Sequence, residues 1–245
     1  MSLGFYIAGS AGQMAQRKLN DVAHNLANVN TTGYMADRSS FTTQLANQIE
    51  GQPTQNAPSF AKFGNQFIDM QEGSIKTTGN DLDFAIQGNG FFRIALPDGS
   101  EAYTRAGNFK LDANGNLQTQ GGHAVLDAGG SAIHLQPGQI TANQEGGLSV
   151  DGSLVAELGL VEIRDASKID KAGEALVKTS IANTGPVSSN ITVHQGALEG
   201  SNVNAILAMT ELIDTMRSYQ ATMKVVEQFN QQAALLNDKV GSIQG

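Results

Sequence analysis

Two aspartates two residues apart, Asp81 and Asp83 in the string Asn80-Asp81-Leu82-Asp83-Phe84, come nearest to an acid–base pair in this 245-residue chain. On a strand, residues i and i+2 share one face about 7 Å apart, which does not exclude glycoside chemistry. The simpler reading is a solvated strand start after a Gly79-Asn80 turn. Asp112-Ala113-Asn114-Gly115-Asn116 imitates the opening of a calcium loop. Its sixth and twelfth positions are Leu117 and His123, where such a loop needs glycine and a bidentate glutamate, so a hairpin turn explains it better. Gly88-Asn89-Gly90 lacks the third glycine and the following helix of a dinucleotide fingerprint. His24, His123, His134 and His194 are scattered, with no metalloprotease or serine-elbow spacing. No catalytic constellation, metal set or cofactor site is expected.

Composition narrows the classes further. The chain has no cysteine, so a disulfide framework, a thiolate zinc site and a cysteine nucleophile are all excluded. A net charge of −8 makes a poor polyphosphate binder, and no nucleic-acid partner is expected. No stretch approaches the roughly 20 apolar residues that span a bilayer, so no membrane insertion is expected. The N-terminus lacks a basic region ahead of its short apolar run, because Arg17 and Lys18 follow it. It therefore reads as soluble and without a cleavable export signal.

The ends differ from the middle. All five prolines (Pro53, Pro58, Pro97, Pro137, Pro186) and 23 of the 28 glycines lie between residues 33 and 200. Proline breaks helices and glycine weakens them, so long helices belong at the termini. The first terminus carries Ala8, Ala11, Ala15, Leu19, Val22, Leu26 and Val29 at 3–4 spacing, one narrow stripe, with a stop expected at Thr31-Thr32-Gly33. Asn25 and Asn28 fall off that stripe, where they either hydrogen-bond between subunits or cap the helix near its stop. The second terminus repeats the pattern at Met209, Leu212, Met216, Tyr219, Met223, Val226, Ala233 and Val240, with Asn230 and Asn237 in the same seam. Ser201 or Asn202 is the expected N-cap ahead of a helix from Val203 to Val240. Pairing the two helices still leaves Ile206, Ile213, Phe229 and Leu236 as apolar flanks, and long seams with surface to spare signify assembly.

The middle reads as β. Strands at 90–96 and 101–105 flank Pro97-Asp98-Gly99-Ser100, strands at 109–112 and 117–119 flank Asn114-Gly115, and strands at 140–143 and 148–150 flank Gly146-Gly147. Further strands are expected at 154–163 and 175–179, and a polar, proline-containing connector at 44–61. The expected fold is α+β: paired long terminal helices in a coiled-coil-like unit, and a central antiparallel β-barrel or sandwich. Residues 1–33 and 201–245 form the helical assembly domain, 34–80 a connector and extended segment, and 81–200 the β domain.

Three segments resemble one family, the bacterial flagellar basal-body rod and hook proteins. Residues 25–34 (NLANVNTTGY) are similar to its N-terminal signature. Residues 81–93 (DLDFAIQGNGFFR), followed by 103–109 (YTRAGNF), are similar to its central β motif. Residues 196–203 (GALEGSNV), running into Met209, Ile213, Arg217, Tyr219 and Lys224, resemble its C-terminal helix region. The length and the 198–203 string look most like the proximal-rod branch, with the distal-rod branch as the alternative.

The resemblance implies a non-enzymatic axial subunit of the rod within the periplasm, exported by the flagellar type III apparatus. Its partners would be copies of itself, other flagellar rod proteins and that export apparatus. The absence of cysteine suits passage to an oxidising compartment. The expected subunit interface is Ala15, Leu19, Val22, Asn25, Leu26, Asn28 and Val29 with Met209, Leu212, Met216, Tyr219, Met223 and Val226. Two other classes stand beside it: a carbohydrate-binding or glycoside-cleaving secreted β domain, which needs an acidic cleft at Asp81 and Asp83, and a coiled-coil effector.

Overall fold

A computed structural model describes residues 3–45, 59–173, 175–187 and 190–241. The fold is α+β: two helices, α1 (Leu3–Ala27) and α2 (Ala205–Gly241), and a curled antiparallel sheet that forms a half-barrel. The chain divides into two compact units. One comprises 1–26, 38–66 and 205–245, and the other 27–37 and 67–204.

In the β unit, strand Gly90–Ala95 is the hub. Along one edge it pairs with Glu101–Thr104 (Arg93 opposite Tyr103, Ala95 opposite Glu101). Along the other it pairs with Leu160–Ile163 at its start and Ala124–Val125 at its end. The turn between the first pair closes because Gly99 takes φ +80°, a conformation that glycine adopts freely. Alternation along this strand supplies two cores. Phe92 and Ile94 point into one with Phe84, Leu117, Val125 and Leu148, and Phe92 meets Phe109 edge-on at 5.1 Å. Phe91 points into the other, with Met35, Ile68, Tyr103, Ile163 and Val177. Both faces are therefore buried, consistent with a hydrophobic run rather than polar alternation.

Several expectations hold and several shift. The Asn114-Gly115 hairpin joins Lys110–Leu111 to Leu117–Gln118, and the Gly146-Gly147 hairpin joins Ile140–Ala142 to Gly147–Val150. The strand expected across 154–163 is two strands, Ser153–Glu157 and Leu160–Ile163. The break falls at Gly159, where a Cβ would lie 2.6 Å from the carbonyl oxygens of both Leu126 and Asp127. The edges of the 44–61 connector are strands: Asp37–Leu45 pairs with Ser59–Ile68, while residues 46–58 lie outside the described residues.

Helix α1 stops at Ala27 rather than at Thr31-Thr32-Gly33, so Val29 sits in the turn that follows it. Asn28 makes that turn: its carbonyl accepts the Thr31 N–H at 3.1 Å and its side chain accepts the Thr31 hydroxyl at 3.0 Å. Helix α2 starts at Ala205, two residues later than expected. Asn202 is committed elsewhere, donating to the carbonyls of Asp69 and Gln71 at 2.9 and 3.0 Å, so its side chain does not cap α2.

Candidate assembly surface

The residues that first suggested chemistry hold turns. Asp83 is buried and accepts the Thr78 hydroxyl at 2.7 Å and the Asn80 side-chain amide at 3.0 Å, whereas Asp81 is exposed. Asp83 thus closes its own turn and does not form a pair of like carboxylates with Asp81. Asp112 accepts the backbone N–H groups of Asn114 and Asn116, each at 2.8 Å, and the Asn116 side chain at 2.9 Å. Hydrogen bonds, that from the Asn116 side chain first, lower its pKa; the loop is a hairpin stabilised by its own carboxylate. The Gly88-Asn89-Gly90 turn owes its glycines to space, since a Cβ on Gly88 (φ +109°) would lie 2.9 Å from the Ile191 side chain.

The helical unit offers a different kind of surface. On α1, Ala8, Gly12 and Val22 are buried, Ala11, Ala15, Leu19 and Leu26 half-buried, and Arg17 and His24 exposed, as a single apolar stripe requires. Asn25 is half-buried beside that stripe; Asn28 and Val29 are half-buried in the turn beyond the helix. The two helices touch in opposite chain senses. Lys18 Nζ lies 3.0 Å from Glu211 Oε1, and a Cβ on Gly12 would sit 3.6 Å from Thr222 Cγ2. Small residues at the touching positions let the two backbones approach. A cavity of about 480 Å³ remains, lined by Ala15, Lys18, Leu207, Thr210, Glu211, Asp214, Thr215 and Ser218.

Helix α2 carries two apolar stripes side by side. Ala205, Ala208, Leu212, Thr215, Tyr219, Thr222, Val226 and Phe229 are buried or half-buried, in unbroken 3–4 steps. The expected seam residues Leu212, Tyr219 and Val226 belong to this stripe. Met209, Met216 and Met223 do not: they are 52%, 50% and 43% exposed, in register with Ile206 (75%) and Ile213 (53%). Positions 206, 209, 213, 216 and 223 define a second heptad stripe, one position away from the first. Sequence periodicity had merged the two stripes, since residues adjacent on a helix differ by only about 100°.

A second arrangement lies in the β unit and escaped any reading of residue type. The three quoted motifs meet there. Glu199 forms an ion pair with Arg105, accepts the Gly73 N–H through its carboxylate, and accepts the Gly33 N–H through its carbonyl. Beside it, Lys171 lies 3.0 Å from Asp37 Oδ1, donates to the Met35 carbonyl at 2.8 Å and sits 4.1 Å over the Tyr34 ring. Charged side chains usually stay in water, and nothing in the sequence marked Arg105, Glu199 and Asp37 as buried.

Asp83 and Asp112 hold turns, and α2 leaves an apolar row open to solvent, a surface of the kind that marks protein–protein contact. Comparison with known sequences agrees. The family described as flagella basal body rod protein matches residues 5–34, the flagellar hook protein FlgE/F/G D1 domain matches 85–201, and the flagellar basal body rod FlgEFG protein C-terminal matches 194–238. The flagellar basal-body rod protein FlgF of Mesorhizobium japonicum is 35% identical over 231 residues, 93% of each chain. FlgF of Caulobacter vibrioides is 32% identical over 246 residues, covering 99% of this chain and all of the relative. FlgG of Agrobacterium fabrum is 32% identical over 256 residues, covering 94% and 97%. The chain belongs to the flagellar basal-body rod protein family, as a structural rod subunit and not an enzyme, with FlgF the nearer likeness and FlgG the alternative.

Proposed function

We propose that this chain is a proximal-rod subunit that builds an axial tube in the periplasm through its terminal helices, and that the exposed α2 stripe is the surface neighbouring subunits cover. The observation that carries this reading is the row Ile206, Met209, Ile213, Met216 and Met223, open to solvent in the single chain. Burying a large aliphatic side chain contributes about 1.5–3 kcal/mol each, so five of them favour association strongly before ordering costs. Methionine suits a surface that meets more than one neighbour, because its unbranched side chain repacks easily.

In this reading α1 and α2 form a coiled-coil-like pair through Ala15, Leu19, Val22 and Leu26 on one side and Leu212, Tyr219 and Val226 on the other. Asn25, Asn28 and Val29 complete the interface near the base of α1. Contacts between unlike patches that do not close into a ring generate a helical tube. The partners are copies of this chain and other rod proteins. A helix of this length is marginal alone, so the ends can pass the type III export apparatus unfolded and order on docking. The FlgG likeness favours a distal-rod position as the second reading, and the axial position of the protein in isolated basal bodies separates the two.

The test is M216D. It places a charge on the exposed stripe at a side chain 50% open to solvent, so the purified chain should melt close to the parent, while incorporation into basal bodies and motility are lost. Normal motility would contradict the proposal.

A further inference from the structure

Arg105 is fully buried and Glu199 is 3% exposed. The guanidinium donates through Nη1 to both carboxylate oxygens, at 3.2 and 3.3 Å, and through Nη2 to the Gly88 carbonyl at 3.0 Å. Its Cζ lies 5.0 Å from the centre of the Phe91 ring, and its Nε is the one buried side-chain polar atom among the described residues with no partner. Burial pushes the Glu199 carboxyl above its ordinary value despite Arg105 beside it. Such a pair is a poor source of stability, because desolvation offsets most of the Coulombic gain and apolar residues of similar volume often serve as well.

What the pair provides is a fixed meeting point for separate chain segments. The Glu199 carboxylate takes the Gly73 N–H at 2.8 Å, and its carbonyl takes the Gly33 N–H at 2.9 Å. Gly33, at φ +63°, rests so closely on the Arg105–Ala106 backbone that a Cβ would lie 2.3 Å from the Ala106 nitrogen. Three residues beyond Glu199, the Asn202 side-chain oxygen accepts the Ala36 N–H at 2.8 Å, and the Asn202 backbone N–H donates to the Tyr34 carbonyl at 3.2 Å. Residues 33–36, which follow α1 in the chain, and 199–202, which precede α2, thus lie side by side within the β unit.

We infer that Arg105 and Glu199 are positioning residues, a buried ion pair that sets the register between the segment leaving α1 and the segment entering α2. The register belongs to the single chain; only its consequence for incorporation rests on the rod-subunit reading. An apolar pair would keep the core filled and would keep the residue-199 carbonyl that Gly33 donates to, but it would remove the Gly73 acceptor and the ion pair that holds that carbonyl in place.

The test uses the full-length chain with the double substitution R105M/E199M. The expected result is a melting temperature close to the parent's and amide exchange about tenfold faster or more at Gly33 and Gly73. Exchange at Phe92 and Ile94 should be unchanged, and incorporation into basal bodies should fall about tenfold or more. E199Q retains an acceptor for both Arg105 and Gly73, and should raise Gly33 exchange by only roughly threefold. Parent-like Gly33 exchange in the folded double variant overturns the inference. If the double variant does not fold, E199Q decides: faster Gly33 exchange with an unchanged melt supports the register role, and unchanged exchange overturns it. Normal incorporation of M216D would instead remove the rod reading and leave the exchange result standing.

Discussion

The core of the β unit seals Phe84, Phe91, Phe92 and Ile94 at 0% exposure, and the apolar side chains it leaves open, such as Leu154 at 71% and Ile181 at 79%, lie in a short strand and a 3₁₀ turn rather than in a row at heptad spacing. The helical unit leaves Ile206 at 75% and Leu207 at 68%. Both obey the same rule, that apolar surface leaves water when a partner is at hand. In the core of the sheet the large apolar side chains find that partner in the same chain. In α2 one stripe is buried or half-buried within the chain, and the adjacent stripe leaves Ile206, Met209, Ile213, Met216 and Met223 between 43% and 75% exposed. On the proposed reading, the sheet is the self-sufficient part of the molecule and the helices are the part that assembly completes.

Two glycines offer the sharpest way to press that contrast. A Cβ at Gly107 would sit 1.8 Å from the Phe84 carbonyl oxygen, in a region with no slack. G107V should therefore abolish the cooperative thermal transition of the β unit, the largest effect expected of any single change outside the helices. At Gly12 in α1 the nearest atoms lie at 3.6 Å or beyond, ordinary van der Waals contact. G12A should instead stabilise the helix by about 0.5–1 kcal/mol, read as increased far-UV helical signal in the monomer. A loss of helical signal would mean that the helices pack as tightly as the sheet, and the contrast would fail.

The smallest effect concerns pH. The Ser100 hydroxyl and backbone N–H, helped by Lys178, lower the exposed Asp98 carboxyl to about 2 from an ordinary 3.8. Because the folded value lies below the unfolded one, this carboxylate favours folding above pH 3.8, and its contribution is lost as pH falls toward 2. A stability difference between the parent and D98N should be measurable at pH 5 and should shrink as pH falls through about 2. Glu199 has the opposite sign: burial raises its pKa, so its protonated form is relatively favoured in the folded chain and acidification relieves a cost.

Much of this was legible in the sequence because local chemistry decided it. Asn114-Gly115 and Asp98-Gly99 fix their turns whatever surrounds them, and the proline-free ends at 3–4 spacing fold as helices. What was not legible depended on distant partners. Gly159 splits a strand because the Leu126 and Asp127 carbonyls press on it, a contact made across more than thirty residues of chain. Asn202 reads as a helix cap by type, yet its side chain is taken by Asp69, Gln71 and Ala36. Arg105 and Glu199 were quoted within motifs, but residue type places both on the surface, and only the fold buries them. On α2 the periodicity located the helix and its apolar side, but could not tell the stripe shielded in the chain from the one beside it.

The chain has no cysteine, so a single one introduced by M216C is a unique chemical probe of the exposed stripe. The decisive measurement is the maleimide labelling rate of M216C in the purified chain and in isolated basal bodies. The account predicts rapid labelling of the free subunit and protection in the assembled rod. Equal labelling in both would contradict it.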